Sequence, residues 1–155
     1  MAVLAADKNV SSIGASTITG FAVNVADTYY RGAIVYVDTG GGSQVVPVAG
    51  DRCLGISPKK QVLATTDLAE VLVSGVIWLP VGTAVEAEDE GDLLILDISA
   101  TQSDNPSDLV SAGDTTLGAD DVAVGTILKV TATQMLVRIG DFTGRLYDAT
   151  AAAWV

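Results

Sequence analysis

Of the 155 residues, 45 are Val, Ile or Thr, whereas Glu and Lys together number only eight. Side chains branched at Cβ fit a pleated, half-buried surface and lose rotamer freedom in a helix, which long unbranched side chains favour. An all-β fold is therefore expected. Apolar residues make up 49% of the chain but only eight residues are aromatic, so the core has to be built from Val, Ile, Leu and Ala. The length fits one domain.

Periodicity agrees with composition. Gly32-Ala-Ile-Val-Tyr-Val-Asp38 reads as a short strand closed by a turn or flexible loop at Asp38-Thr-Gly-Gly-Gly-Ser43. Glu70 to Pro80 is a long strand in which Gly75 marks a bulge or bend and Pro80 the end. Asp92-Leu-Leu-Ile-Leu-Asp97 fits a strand buried on both faces. Residues 126–131 and 134–140 form a hairpin across Thr131-Ala-Thr133. Gly-Asp pairs at 50–51, 91–92, 113–114 and 140–141 recur at intervals typical of sandwiches and barrels. Each is read as a turn that places a carboxylate at a strand start, where it accepts local N–H groups. Helix is confined to a short turn near Thr65-Thr-Asp-Leu68, and Asp97 to Asp108 is an exposed, mobile polar loop. Leu54-Gly55-Ile56 followed by Val71 to Gly75 is echoed by Val124-Gly125-Thr126-Ile127 followed by Leu136 to Gly140, as in two related hairpins. The chain divides into an N-terminal arm or edge strand at 1–30, a β-barrel domain at 31–146 and a tail at 147–155.

Eight Lys and Arg stand against 19 Asp and Glu, a net charge of −11, and there is no His. Between Lys60 and Lys129 lie 68 residues with 13 acids and no base. Such a surface repels phosphate, which argues against nucleic acid and anionic membranes as partners. Without His, the Ser-His-Asp and Cys-His nucleophile pairs are excluded, and one Cys excludes a disulfide framework. The first residues carry no signal-peptide pattern, and no apolar run is long enough for a membrane helix, so synthesis and folding in a cytoplasm are expected.

Individual motifs give little chemistry. Glu86-Ala-Glu-Asp-Glu-Gly-Asp-Leu-Leu-Ile-Leu-Asp97 imitates a calcium loop, but its early acids are Glu, its twelfth position is Asp, and a strand flanks it. A solvated acidic turn with weak divalent-ion association is the expected reading. Gly40-Gly-Gly42 lacks the Lys and helix of a phosphate loop. Cys53 has no His or second Cys to activate it and reads as a buried small apolar residue. Carboxylate pairs alone lack the aromatic platforms of a sugar cleft, so no enzymatic activity, cofactor or metal is expected. Trp78 is expected in the core. Tyr29, Tyr30 and Trp154 lie in terminal segments, where they either dock onto their own domain or contact another chain.

Taken in order, Gly32 to Asp38, Ala49-Gly-Asp-Arg-Cys-Leu-Gly-Ile-Ser57, Ala69 to Pro80, Glu90-Gly-Asp-Leu-Leu94 and Val124-Gly-Thr-Ile-Leu128 resemble the capsid decoration, or cement, proteins of tailed bacteriophages over residues 31–140. The resemblance implies a compact β-barrel or β-tulip-like domain with an extended N-terminal arm. It also implies a homotrimer on the outer capsid surface of the virion, clamping neighbouring major capsid subunits. Val3, Leu4, Tyr29, Tyr30, Arg31 and Trp154 are then the candidate capsid or trimer contacts, and residues 1–24 an arm that adds a strand to a capsid edge. Two other readings stay open: another phage component such as a spike base or tail protein, and a β-sandwich module for glycans or calcium.

Overall fold

The computed structural model describes residues 4–82, 84–98 and 104–155. The chain is nearly all β, with a strongly curled sheet that forms a half-barrel. The strands begin with β1 (Ser11–Ala22), β2 (Asp27–Tyr29), β3 (Ile34–Val37), β4 (Ser43–Gln44), β5 (Arg52–Ile56), β6 (Gln61–Leu63) and β7 (Leu68–Pro80). They continue with β8 (Leu93–Leu96), β9 (Val110–Ser111), β10 (Val122–Val130), β11 (Gln134–Ile139), β12 (Tyr147–Asp148) and β13 (Ala153–Trp154). The main sheet runs β4-β3-β5-β7-β11-β10-β8-β9, and β1 pairs antiparallel along β7. The expected strands reappear as β3, β7, β8 and the β10–β11 hairpin. The expected helical turn near Thr65 is instead a tight turn, in which Asp67 N–H donates to the Ala64 carbonyl at 3.0 Å.

Read inward from its two ends, the sheet order is the same twice: β4-β3-β5-β7 and β9-β8-β10-β11. The sheet is two four-stranded units of one topology, joined where β7 pairs with β11 from Gly75 to Pro80. The units share sequence marks at matching places. Gly and Asp six residues apart bracket β3 (Gly32, Asp38) and β8 (Gly91, Asp97). Asp and Gly four residues apart open β5 (Asp51, Gly55) and β10 (Asp121, Gly125). The echo seen in the sequence is thus a repeat of a whole four-stranded unit rather than of a hairpin.

Each mark has a physical task. The Asp51 carboxylate accepts from Val48 N–H at 2.9 Å while its own N–H donates to the Val48 carbonyl at 3.0 Å. Asp121 does the same to Gly118, at 2.8 Å and 3.3 Å. Identical reciprocal turns are closed by Asp67 on Ala64 and by Asp89 on Glu86. Of the four expected Gly-Asp turns, only the one at Asp51 behaves as foreseen. Asp92 accepts the Ser111 hydroxyl instead, and Asp114 and Asp141 follow strands rather than start them. What closes these turns is an acid reaching back three residues, and a preceding glycine is not required.

The glycines allow close approach of strands. A Cβ on Gly55, whose φ is +153°, would overlap the Leu72 carbonyl oxygen, and one on Gly125 would lie 2.5 Å from the Arg138 carbonyl oxygen.

Two cores result. One lies inside the curl and includes Ile34, Tyr36, Ile56, Leu79, Leu96 and Ile127. The second packs Leu4, Val23 and Tyr29 against Ala33, Val35 and Val71 on the opposite face of the first unit. Alternation along β3 sends Ile34 and Tyr36 to one core and Ala33 and Val35 to the other. Within the arm or edge strand expected at 1–30, residues 11–22 form the edge strand β1 and Leu4 packs in the second core. Trp78, expected in the core, is only partly buried and belongs to neither cluster. The loop expected to be exposed at 97–108 turns inward at its end, where Asp104, Pro106 and Leu109 are buried and Ile34 N–H donates to the Asp104 carbonyl at 2.9 Å. Its residues 99–103 lie outside the described residues.

Gly55→Ala is expected to cost about 3 kcal/mol or more, because the added methyl meets backbone and the φ is unfavourable. Thermal denaturation should show a fall of roughly 10 °C for a chain of this size, and an unchanged melting temperature would refute the close-approach role.

Candidate functional site

The most unusual surface of the molecule is β1. Eleven of its twelve residues are exposed and Phe21 is half-buried, so neither of its faces is covered. It is held by its ladder to β7, from Ser11 opposite Trp78 to Ala22 opposite Leu68. The ladder breaks between Ile13 and Thr17, where Gly14 has a φ of +71° and Ser16 lies against Gly75. Ile13 and Ile18 are each 50% exposed. Among the described residues no strand pairs with the outer edge of β1. Residues 9–26 form a charge-free strip on a chain of net charge −11. The arm or edge strand expected at 1–30 includes this surface, and its missing charges are a further signal in the sequence.

Of the five expected contact residues that are described, Leu4, Tyr29 and Tyr30 gather at the second core, whereas Arg31 and Trp154 do not belong to it. Val3 lies outside the described residues. Leu4 and Tyr29 are in the second core, which removes both from the contact surface of the folded chain. Tyr29 is fully buried because its hydroxyl finds the Ser43 hydroxyl at 3.0 Å. Tyr30 packs against the same core with the Lys60 ammonium 5.4 Å from its ring centre. Arg31 is exposed and tied to the N-terminal segment, its backbone N–H donating to Asp7 at 2.9 Å and its Nε to the Lys8 carbonyl at 3.1 Å. Trp154 belongs to the separate β12–β13 hairpin, edge-on to Tyr147 at 5.4 Å between ring centres.

The acids of the calcium-like segment point to different partners. Asp89 is buried and closes its own turn, Glu90 accepts from Val130 N–H at 3.0 Å, Asp92 accepts from the Ser111 hydroxyl at 3.1 Å, and Asp97 accepts from the Thr115 hydroxyl at 3.2 Å. Asp114 faces Asp89, Glu86 and Asp92, and these neighbours help to raise its pKa beyond the effect of desolvation. Among the described residues no group of three or more Cys, Asp or Glu side chains is arranged to hold a metal ion. On the outer face of the second unit, Gly75, Arg138 and Phe142 line an open depression of about 520 Å³. Arg138 has no ion pair there among the described residues.

Two buried titratable groups are displaced from their ordinary behaviour. Burial pushes the Cys53 thiol up to about 12, so it is a packing group with almost no thiolate at neutral pH. Native protein should resist thiol-modifying reagents at pH 8 and react with one equivalent once unfolded. Fast labelling of the native chain would contradict the burial.

Asp104 is 1% exposed; one carboxylate oxygen accepts the Leu4 N–H and the other has no partner among the described residues. Burial raises its pKa from 3.8 to about 6, opposed by the Leu4 bond and assisted by Asp27 and Asp108. The folded chain thus holds a proton near pH 5 that the unfolded chain has released. Stability from this group grows as pH falls from about 6 towards 4 and is lost as pH rises through 6, a difference on the order of 2 kcal/mol. Melting curves should show greater stability at pH 5 than at pH 7.5, and Asp104→Asn should remove most of that slope. A slope unchanged in the variant would assign it to other acids.

No family model and no curated protein matches the chain.

Proposed function

We propose that the chain is a structural virion protein that binds the outer surface of a tailed-bacteriophage head and stabilises it by clamping neighbouring major capsid subunits. The observation that carries this reading is the succession of motifs shared with capsid decoration proteins. Those motifs fall on β3, β5, β7, β8 and β10, the strands that build the two units of the half-barrel. The resemblance therefore falls on five of the eight strands of the two units. The homotrimer on the head and the site of action on the virion belong to the same proposal, with synthesis in the host cytoplasm.

Surface chemistry supports a protein that acts by contact. An acidic exterior opposes indiscriminate association between copies in solution. The uncharged, uncovered β1 offers main-chain and apolar contact without a desolvated charge. Deleting residues 1–24 would also remove Leu4 and Val23 from the second core, so that truncation cannot separate binding from folding.

The test is to add purified protein to expanded, undecorated heads and to measure co-sedimentation and head stability. Saturable binding at a fixed ratio to the major capsid protein, with heads that resist heating better, is the expected outcome. Protein that stays in the supernatant, or binds in a few copies at one vertex, would overturn the decoration reading.

A further inference from the structure

Strand β1 is twelve residues long, bonded to β7 on one edge and unpaired on the other among the described residues. A strand of that length presents a row of free N–H and C=O groups about 40 Å long. Protein edges are usually blunted by Lys, Pro or an inward-pointing charge, and β1 contains none of these. Its irregularities are two register shifts in the β7 ladder, between Ile13 and Thr17 and between Thr17 and Ile18. Ordering twelve exposed residues costs backbone entropy that one ladder and little side-chain burial offset poorly. Such an edge is built to be covered.

Charge selects what covers it. Each copy carries −11, so two copies meeting on their acidic faces bring carboxylate against carboxylate. Over residues 9–26 no charge opposes contact, and the main-chain groups of one strand are self-complementary in antiparallel register. We propose that β1 pairs with β1 of a second copy, antiparallel across a two-fold axis near Ser16 and Thr17, so that two half-barrels share one continuous sheet in solution. Ile13 and Ile18 lose part of their solvent exposure to neighbouring side chains in that pairing. The proposal concerns the free chain and does not rest on the capsid reading.

The experiment is light scattering and sedimentation of the full chain from about 1 to about 500 μM. The expected species contains two copies and tightens several-fold as salt rises from about 20 mM to about 500 mM, because repulsion between the acidic bodies is screened. Thr17→Glu and Thr17→Arg each set like charges near the axis and should weaken association about tenfold. An equimolar mixture of the two variants should restore association to within about threefold. Thr17 is exposed, so both variants should keep the parental melting temperature. If either melts lower, Thr19→Glu and Thr19→Arg repeat the test at a second exposed position. A chain that remains single across this range, an assembly of three copies, or a dimer indifferent to these charges overturns the proposal.

Discussion

Strand β7 is hydrogen-bonded along both edges, and the rest of the sheet is arranged around it. One edge carries β1 along the whole length, while β5 and β11 share the other, β5 at Leu72 and β11 from Gly75 onward. A strand of thirteen residues is needed to hold both units, and its continuity turns two small, individually marginal sheets into one half-barrel. The close approach of Gly55 to the Leu72 carbonyl lies at the same place. Side chains of β7 are divided between the cores, with Val71 in one and Leu72 in the other. The strand is therefore the wall between the two cores as well as the seam between the two units.

The acidic composition acquires a local meaning once the turns are seen. Asp51, Asp67, Asp89 and Asp121 each close a turn by reaching back to a backbone N–H three residues earlier, which satisfies a donor that a tight turn would otherwise leave open. Part of the negative charge is thus structural. Asp121 has its pKa raised by desolvation despite the bonds from Gly118 and Ile98, and burial raises Asp104 to about 6 despite the bond from Leu4. The remaining acids lie on the exterior. Against them the neutral strip of β1 stands out as the surface on which main-chain contact carries the least electrostatic opposition.

Much of the sheet was legible because the signals are local. A β-branched run between turn residues specifies β3, β7, β8 and the β10–β11 hairpin without reference to anything distant. The candidate contacts were poorly legible because exposure depends on what lies across a strand. Tyr29 and Tyr30 are adjacent and chemically identical, yet β2 pairing with β6 leaves one fully buried on Ser43 and the other under Lys60. Trp78 looked like core from its apolar neighbours but is only partly buried and belongs to neither cluster. Leu4 and Asp104 are 100 residues apart in sequence and meet through one hydrogen bond, which no local pattern could signal.

The sequence by itself determined that the chain is all-β, where its main strands lie, and that its surface is acidic, because composition, period-two alternation and charge are properties of neighbouring residues. Only the tertiary structure decided that the echo between the Gly55 and Gly125 segments extends to two four-stranded units. It alone placed the N-terminal segment in a core, and it alone left β1 with an open edge. Those outcomes follow from which strands pair, and pairing is fixed by contacts between residues far apart in the chain.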